Sequence, residues 1–512
     1  MDESILTLDT AVVGGGITGL YTCLRLRGRQ GPGHRMALFE SSGRFGGRIE
    51  TVNMDGFLAE YGPMRFEKMG QPLLMHLIRE LGLETRPFPP YTPSTDPESL
   101  FDLREDENRP AAGKSGTGLF NALELLVLGI LRILQKSGGD LNDPGDPRHR
   151  DWWAGLDETF YAEVRNGMAF QGEPIYRTGF WNILSRVLSH RALNQIIHRG
   201  TFYHVIHHNP GAAEWIIFWL RGLHPRDGLV GIQQGTEALI TELVKKLSSP
   251  PSDPVPLHPN HRLTAIRQAE GNRILLELET GGGRTVRVLA DHVVLALPWS
   301  AVRKLAHSFP DRIAKLVDSV IPIPLLKCFF VTKTPWWNRD TKPQTRASSV
   351  PAREIHYAFR EEGKDRRGMV MVYGDTPSMN HWKPFVKNEP HLRAELNGDD
   401  RLVERYLRYL SPDPRNTDPA ERRNQARAIT CFGIRDWSRE PFEAGCHIWK
   451  PGVNVEEAMD NLKGFSFPGA PSDVKNVHIC GEAYSDYQGF IEGGLRLALK
   501  VVEQMGQSAA RT

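Results

Sequence analysis

Apolar positions along this chain change period from segment to segment, and the changes fall at glycines and prolines. Residues 5–13 end in β-branched and apolar positions and stop at Gly14-Gly15-Gly16, which predicts a strand entering a tight turn. Residues 19–26 have helical spacing and 35–40 return as a second strand, so the N-terminus predicts a βαβ unit. Between 116 and 223 the signals are mostly helical: 180–197 and 213–223 carry apolar residues three and four apart, with basic residues between. The most apolar run, 119–134, is broken by Asn121, Glu124 and Arg132. It predicts a buried or amphipathic helix, not a bilayer crossing of ~20 apolar residues.

The second half reads as strands with fewer helices. A glycine turn at 231–235 leads into a helix over 236–247. A short strand is expected at 262–267, a hairpin from 274–278 and 286–289 about Gly281-Gly282-Gly283, and a further buried strand at 292–297. Residues 325–331 form a hydrophobic strand carrying one lysine, Lys327, and 369–373 are another apolar run. A closing strand is expected at 474–480 and a final helix at 493–505. Proline- and aspartate-rich stretches fall at 87–93 and 140–150, and no internal repeat is found.

At 512 residues the chain exceeds one ordinary core, so two or three domains are expected. Sixty-three basic against sixty-one acidic residues give no global argument for nucleic acid or an anionic membrane as partner. Five scattered cysteines without metal-type spacing suit reduced thiols, and no basic leader precedes the first strand. A cytoplasmic location and no metal site are therefore expected.

Gly14-x-Gly16-x-x-Gly19 lies between strand and helix, where each glycine has a job. The first permits the turn, the second lets backbone approach a pyrophosphate, and the third lets helix lie on strand. Glu40, twenty-one residues past Gly19, sits where a carboxylate would accept from an adenosine ribose. Gly43-Arg44-Phe45-Gly46-Gly47-Arg48 follows, with arginines that would reach pyrophosphate oxygens or form a solvated basic turn. Far downstream, Gly481-Glu482 and Gly489-Phe490-Ile491-Glu492-Gly493-Gly494 follow the closing strand, as though both ends of the chain held one dinucleotide.

These motifs resemble the flavin-dependent amine oxidase family, which includes monoamine, polyamine and L-amino acid oxidases. The resemblance implies a two-domain α/β fold: a Rossmann-type FAD-binding domain, and a mixed-sheet substrate domain with a helical insertion. The expected division is 1–70, 231–320 and 472–512 for FAD, 71–115 and 321–471 for substrate, and 116–230 for the insertion. It also implies that Gly14, Gly16, Ile17, Thr18, Gly19, Glu40, Ser41, Arg44, Gly47, Arg48, Gly62, Pro63, Met64, Arg65 and Leu263 border the cofactor. Gly481, Glu482, Gly489, Phe490 and Ile491 complete that set. Cys446 falls near the cysteine that carries covalent flavin in monoamine oxidases; non-covalent FAD is expected, as in the L-amino acid oxidase branch.

Gly62-Pro63-Met64-Arg65 resembles the L-amino acid oxidase branch, where the arginine pairs with the substrate α-carboxylate. A guanidinium offers two parallel donors to a carboxylate and stays charged when desolvated. The alternative partner is the cofactor or a protein carboxylate. The resemblance assigns Lys327 to a water near the flavin and to oxygen chemistry, though an alternating strand would equally turn it to solvent. Tyr357 resembles a tyrosine of the carboxylate clamp, with His356 as the other candidate, and Phe490 resembles a wall of the substrate cage. Trp437 and Trp449 are candidates for the remaining lining, and His224 reads as a surface histidine.

The expected reaction is oxidative deamination of L-amino acids, with hydride leaving Cα for the flavin and oxygen reduced to hydrogen peroxide. Its reactants are an L-amino acid and molecular oxygen, in a chain expected to form a homodimer. The rival readings are an L-amino acid 2-monooxygenase, a monoamine or polyamine oxidase, and a flavoprotein without catalysis.

Overall fold

In the computed structural model, the β-branched and apolar run at the N-terminus is the strand Leu6–Val13, and it lies at the middle of a seven-stranded sheet. The structure describes residues 5–31, 33–89, 100–103, 119–139, 155–200, 208–222, 228–249, 253–342, 344–345, 354–362, 365–376, 378–382, 391–394 and 418–509. The proline- and aspartate-rich stretch at 140–150, most of the one at 87–93, and His224 lie outside these residues.

Leu6–Val13 pairs in parallel with Met36–Phe39 on one side and with Thr285–Leu295 on the other. The helix Ile17–Gln30 crosses between the first two and buries Leu20, Cys23, Leu24 and Leu26. Gly14 sits at φ +111° with the Ala296 carbonyl oxygen 2.3 Å from where its Cβ would be, and a Cβ on Gly19 would stand 1.9 Å from the Gly14 carbonyl oxygen, so a side chain at Gly19 would part helix from strand. The C-terminal strand Val477–Ile479 adds in parallel to residues 293–295, which brings the chain's two ends into one sheet.

The hairpin and buried strand expected at 286–289 and 292–297 are one continuous strand, Thr285–Leu295. Residues 285–290 pair antiparallel with Ile274–Thr280, residues 288–295 pair in parallel with Leu6–Val13, and residues 293–295 in parallel with Val477–Ile479. The polar step at Asp291-His292 interrupts the apolar pattern, but the backbone ladder runs through it.

The apolar run at 119–134 is the helix Ala122–Lys136. Asn121 caps it, accepting from the Leu123 and Glu124 amides, while Glu124 returns a bond to the Asn121 amide. It packs with Phe180–Leu184, His190–Arg199 and Ala212–Gly222 around a separate apolar core that includes Leu125, Ile130, Phe180, Ile183 and Ile216. Each of these fully buried side chains contributes roughly 1.5–3 kcal/mol relative to exposure. No helix among the described residues is long and apolar enough to cross a membrane.

A second large sheet has six strands, ordered 344–345, Glu354–Glu362, Asp365–Gly374, Leu326–Thr332, Ile429–Asp436 and His391–Ala394, all antiparallel. Strand parity divides its faces. Leu326, Cys328, Phe330, Ile355, Val370, Val372, Phe432 and Ile434 fill one core, and Phe329, Val331, Met369 and Met371 another.

The first sheet holds an imidazole pair, His478 buried and His292 half-buried. His478 Nδ1 lies 2.8 Å from the Lys463 carbonyl and so carries the proton, which leaves Nε2 to accept from His292 Nδ1–H at 3.2 Å. A second proton on His478 would set donor against donor. Burial first, then His292, pushes its pKa from the ordinary 6.5 down to about 3. The unfolded imidazole takes up a proton near 6.5 while the folded one does not, so stability present above 6.5 is lost as pH falls toward 3. The loss is roughly 2 kcal/mol by pH 5. Calorimetry from pH 7.5 to 5 should show a falling midpoint with a flatter slope in His478→Asn; equal slopes would remove the pair as the cause.

Candidate active site

A cavity of about 940 Å³ runs between the two large sheets and the helical insertion. Residues from both ends of the chain line it. Gly14, Gly16, Ile17 and Thr18 bring the start of the first helix to its wall, followed by Glu40, Ser41, Arg44, Gly47 and Arg48. Gly62, Pro63, Met64, Arg65, Leu263, Lys327, Gly481, Glu482, Gly489, Phe490 and Ile491 complete the expected set there. Gly19 is absent from the wall, and its contact with Gly14 gives it the packing role instead.

The nucleotide end suits an anionic ligand. A Cβ built on Gly16 meets nothing within 4 Å, so backbone is open to the cavity at a helix N-terminus, where partial positive charge gathers. Glu40 is fixed by the Gly15 amide at 2.7 Å and by the Ser42 amide and hydroxyl, both at 2.8 Å. Arg44 and Arg48 reach the wall with donors engaged on protein acceptors. Arg44 bonds the Gly47 and Ile49 carbonyls, so it shapes its own loop. Arg48 bonds the Gly445 carbonyl and the Glu482 carboxylate, each at 2.8 Å.

Glu482 gathers several donors. Oε1 accepts from the His447 amide at 3.0 Å and the Gly489 amide at 2.7 Å, and Oε2 from Arg48 and from His447 Nδ1 at 2.9 Å. Burial alone would raise its pKa, but Arg48 and His447 outweigh burial and hold it ionised, far below the usual carboxylate range. Neighbouring Cys446 lines the cavity with its thiol pushed well up by burial, a neutral group at ordinary pH.

At the other end one row crosses the second sheet. Glu354, Tyr373, Lys327 and Arg435 are directly opposite one another on adjacent strands, so all four side chains project from one face. Lys327 is 3 % exposed. Its ammonium donates to the Glu60 carbonyl at 3.0 Å and the Gly62 carbonyl at 2.5 Å, and lies 5.0 Å from the Tyr373 ring centre. Burial drives its pKa from 10.5 to about 7 despite the opposing pull of Glu60. Trp437 Nε1 binds the Tyr61 carbonyl at 2.8 Å and Thr236 Oγ1 the Pro63 carbonyl at 3.0 Å. Four consecutive carbonyls, 60 to 63, are thus held, with Met64 alone between them and Arg65.

Arg65 lines the cavity with its side chain 30 % exposed, but it is not an uncompensated cation. Its Nη1 donates to Glu354 Oε1 at 3.0 Å, and His356 Nε2 contacts the same oxygen. Burial pushes Glu354 up; Arg65 and His356 outweigh it and bring the pKa to about 2. The protein carboxylate left open as an alternative in the sequence is therefore present. A strand position 289 residues from the arginine gives no local signal of such a pairing.

Tyr357 requires a correction. It has the parity of Ile355, packs with that strand's opposite core, and its ring lies 5.3 Å from Trp337. It is absent from the cavity wall, and His356 is engaged with Glu354. Tyr373 on the adjacent strand stands in the cavity instead. Trp437 lines the cavity; Trp449 is buried elsewhere, donating to the Ser485 carbonyl at 2.8 Å. Phe490 is on the wall, its ring 4.8 Å from Tyr487 and 5.6 Å from Phe218 of the insertion.

A Rossmann-type sheet closed by both chain ends, beside an antiparallel sheet carrying a buried lysine, defines a two-domain flavoprotein oxidoreductase. The flavin containing amine oxidoreductase pattern matches residues 17–505, and the chain belongs to that family, with FAD as cofactor. Aplysianin-A of Aplysia kurodai is 23 % identical over 94 % of this chain and 86 % of its own. L-amino acid oxidase Cdc18 of Crotalus durissus cumanensis is 21 % identical over 88 % of this chain and 91 % of its own. A solved structure of a putrescine oxidase double mutant, redesigned in cofactor binding, superposes with a TM-score of 0.66 at 17 % identity, covering 98 % of this chain and 99 % of its own.

Glu482 offers a check on the nucleotide end. Glu482→Gln leaves Arg48 without its anion and should cost about 3 kcal/mol of stability. Urea unfolding measures this; a change below about 0.5 kcal/mol, the usual range for surface sites, would show the cluster to be inert.

Proposed function

We propose that this protein oxidises L-amino acids to 2-oxo acids, releasing ammonia and hydrogen peroxide. The observation that carries the reading is Arg65 on the cavity wall, delivered there by a segment whose carbonyls at 60 to 63 are all bonded. A guanidinium has five donors in one plane, so a substrate carboxylate can join Glu354 on the same group. Glu354, 1 % exposed, anchors Nη1 of the guanidinium before substrate arrives. Tyr373 and Phe490 are the aromatic walls in this reading, with Tyr373 replacing Tyr357 in the clamp.

The bound flavin supplies a two-electron acceptor for the substrate C–H bond and passes the electrons to oxygen. Gly14 to Thr18, Glu40 and Glu482 would hold its nucleotide and ribityl parts. Lys327, buried with a pKa of about 7, carries a proton that it can yield near neutrality. A protonated Lys327 disfavours an ammonium nearby, so the substrate amine is drawn toward its neutral, electron-donating form.

A second reading is oxidation of amines lacking a carboxylate, because Glu354 offsets Arg65 and leaves less net charge for an anionic head group. Peroxide release with L-amino acids and with their decarboxylated amines separates the two. The double variant Arg65→Ala, Glu354→Gln removes cation and counter-ion together. It should raise KM for L-amino acids about 100-fold, roughly 3 kcal/mol, and leave any turnover of the amines within threefold. An unchanged amino-acid KM would remove the assignment.

A further inference from the structure

The segment 481–491 faces two ways. Glu482, Gly489, Phe490 and Ile491 line the cavity, while Asp486 and Tyr487 between them meet the helical insertion. Arg221 makes that meeting. It lies in the last turn of Ala212–Gly222 and is 6 % exposed. Its Nη1 donates to the Asp486 carbonyl at 2.8 Å, and its Nη2 reaches Glu158 at 2.6 and 2.8 Å. Its guanidinium carbon lies 4.7 Å from the Tyr161 ring centre and 5.3 Å from that of Tyr487.

Each neighbour of Arg221 is fixed in turn. Tyr487 donates to Glu67 at 2.6 Å and packs on Phe490. The Asp486 carboxylate is held by Arg496 of the final helix, at 2.6 and 2.9 Å. Phe218, on the same helix as Arg221, stacks on Trp215 at 4.4 Å and meets Phe490. Among the described residues of the insertion, Phe218 alone reaches the cavity wall. The insertion therefore acts on the cofactor segment mostly from behind, through a buried cation bonded to the segment's own backbone.

We propose that Arg221 is a positioning residue for FAD: it locks segment 481–491 to the helical insertion, so that flavin retention and insertion docking are one linked equilibrium. Linkage is reciprocal: whatever the docked insertion adds to FAD affinity, FAD adds to docking. The inference rests on segment 481–491 bordering the flavin. Glutamine is neutral and shorter, so it loses the charge over the two rings and cannot bridge the Asp486 carbonyl and Glu158 together, whereas lysine keeps the charge.

The test titrates apoprotein with FAD and follows the quenching of flavin fluorescence. Arg221→Gln should raise the Kd tenfold or more, and Arg221→Lys should recover part of that loss. A Kd within twofold in an Arg221→Gln protein that unfolds as cooperatively as wild type would overturn the proposal. Glu482→Gln separates the two levels: its loss of FAD binding beside an unaffected Arg221→Gln rejects Arg221 alone, and normal binding in both rejects the placement of the flavin. Should Arg221→Gln fail to fold, hydrogen exchange on wild type decides. Adding FAD to apoprotein should slow exchange across 158–167 and 212–222, and unchanged exchange there would sink the linkage.

Discussion

The ammonium of Lys327 is almost wholly buried, and an ammonium so placed must find acceptors or lose its proton. It does some of each. Two backbone carbonyls, of Glu60 and Gly62, take its hydrogen bonds, and its proton affinity falls to the neutral range. The consequence is structural before it is chemical. The extended segment ahead of Arg65 cannot drift, because Trp437 and Thr236 hold the carbonyls between and beyond those two. Gly62 has to be glycine: a Cβ there would stand 2.0 Å from the Arg48 carbonyl oxygen. The position of the arginine follows from the strand that carries the lysine.

The nucleotide end obeys a different constraint. Its parts come from residues almost 500 positions apart, and the sheet brings them together because residues 293–295 accept Leu6–Val13 on one side and Val477–Ile479 on the other. Glu482 then sits immediately after the last strand. Its carboxylate joins Arg48 from the N-terminal region, His447 from a separate two-stranded ribbon, and the Gly489 amide from its own segment. An ionised group this deeply placed is tolerable because each oxygen accepts at least two bonds. The cofactor end is thus preorganised by an internal charge cluster.

What was legible in the sequence was local. The glycine spacing, the following acidic residue and the helical period at Ile17–Gln30 all act within forty residues, where chain geometry alone fixes their relation. Lys327 was legible for a related reason: one charge in an apolar strand is conspicuous whatever the strand pairs with. Glu354, Tyr373 and Arg435 were not, since their common row exists only once three antiparallel registers are set. Tyr357 was misplaced by the same blindness. A strand turns successive side chains to opposite faces, and the residue that faced the cavity was decided by pairing with Tyr373, not by neighbouring sequence. The continuous strand Thr285–Leu295 was divided in two because a polar dipeptide interrupts its pattern while its backbone ladder does not break.

The row across the second sheet also bears on the form in which a substrate reacts. Arg65 is matched by Glu354 and Arg435 lies 3.2 Å from Glu50, so neither pair leaves a full unit of charge. Selection of a carboxylate there would come from the fixed plane of donors more than from attraction at a distance. Lys327 differs, because no carboxylate among the described residues bonds its ammonium, and near neutrality its charge varies. A proton on Lys327 and a proton on an approaching amine oppose one another across a low-dielectric space. The arrangement therefore couples the two: the site tolerates an anion at the guanidinium most easily when the amine beside it is uncharged, which is the state from which electrons can leave the α-carbon.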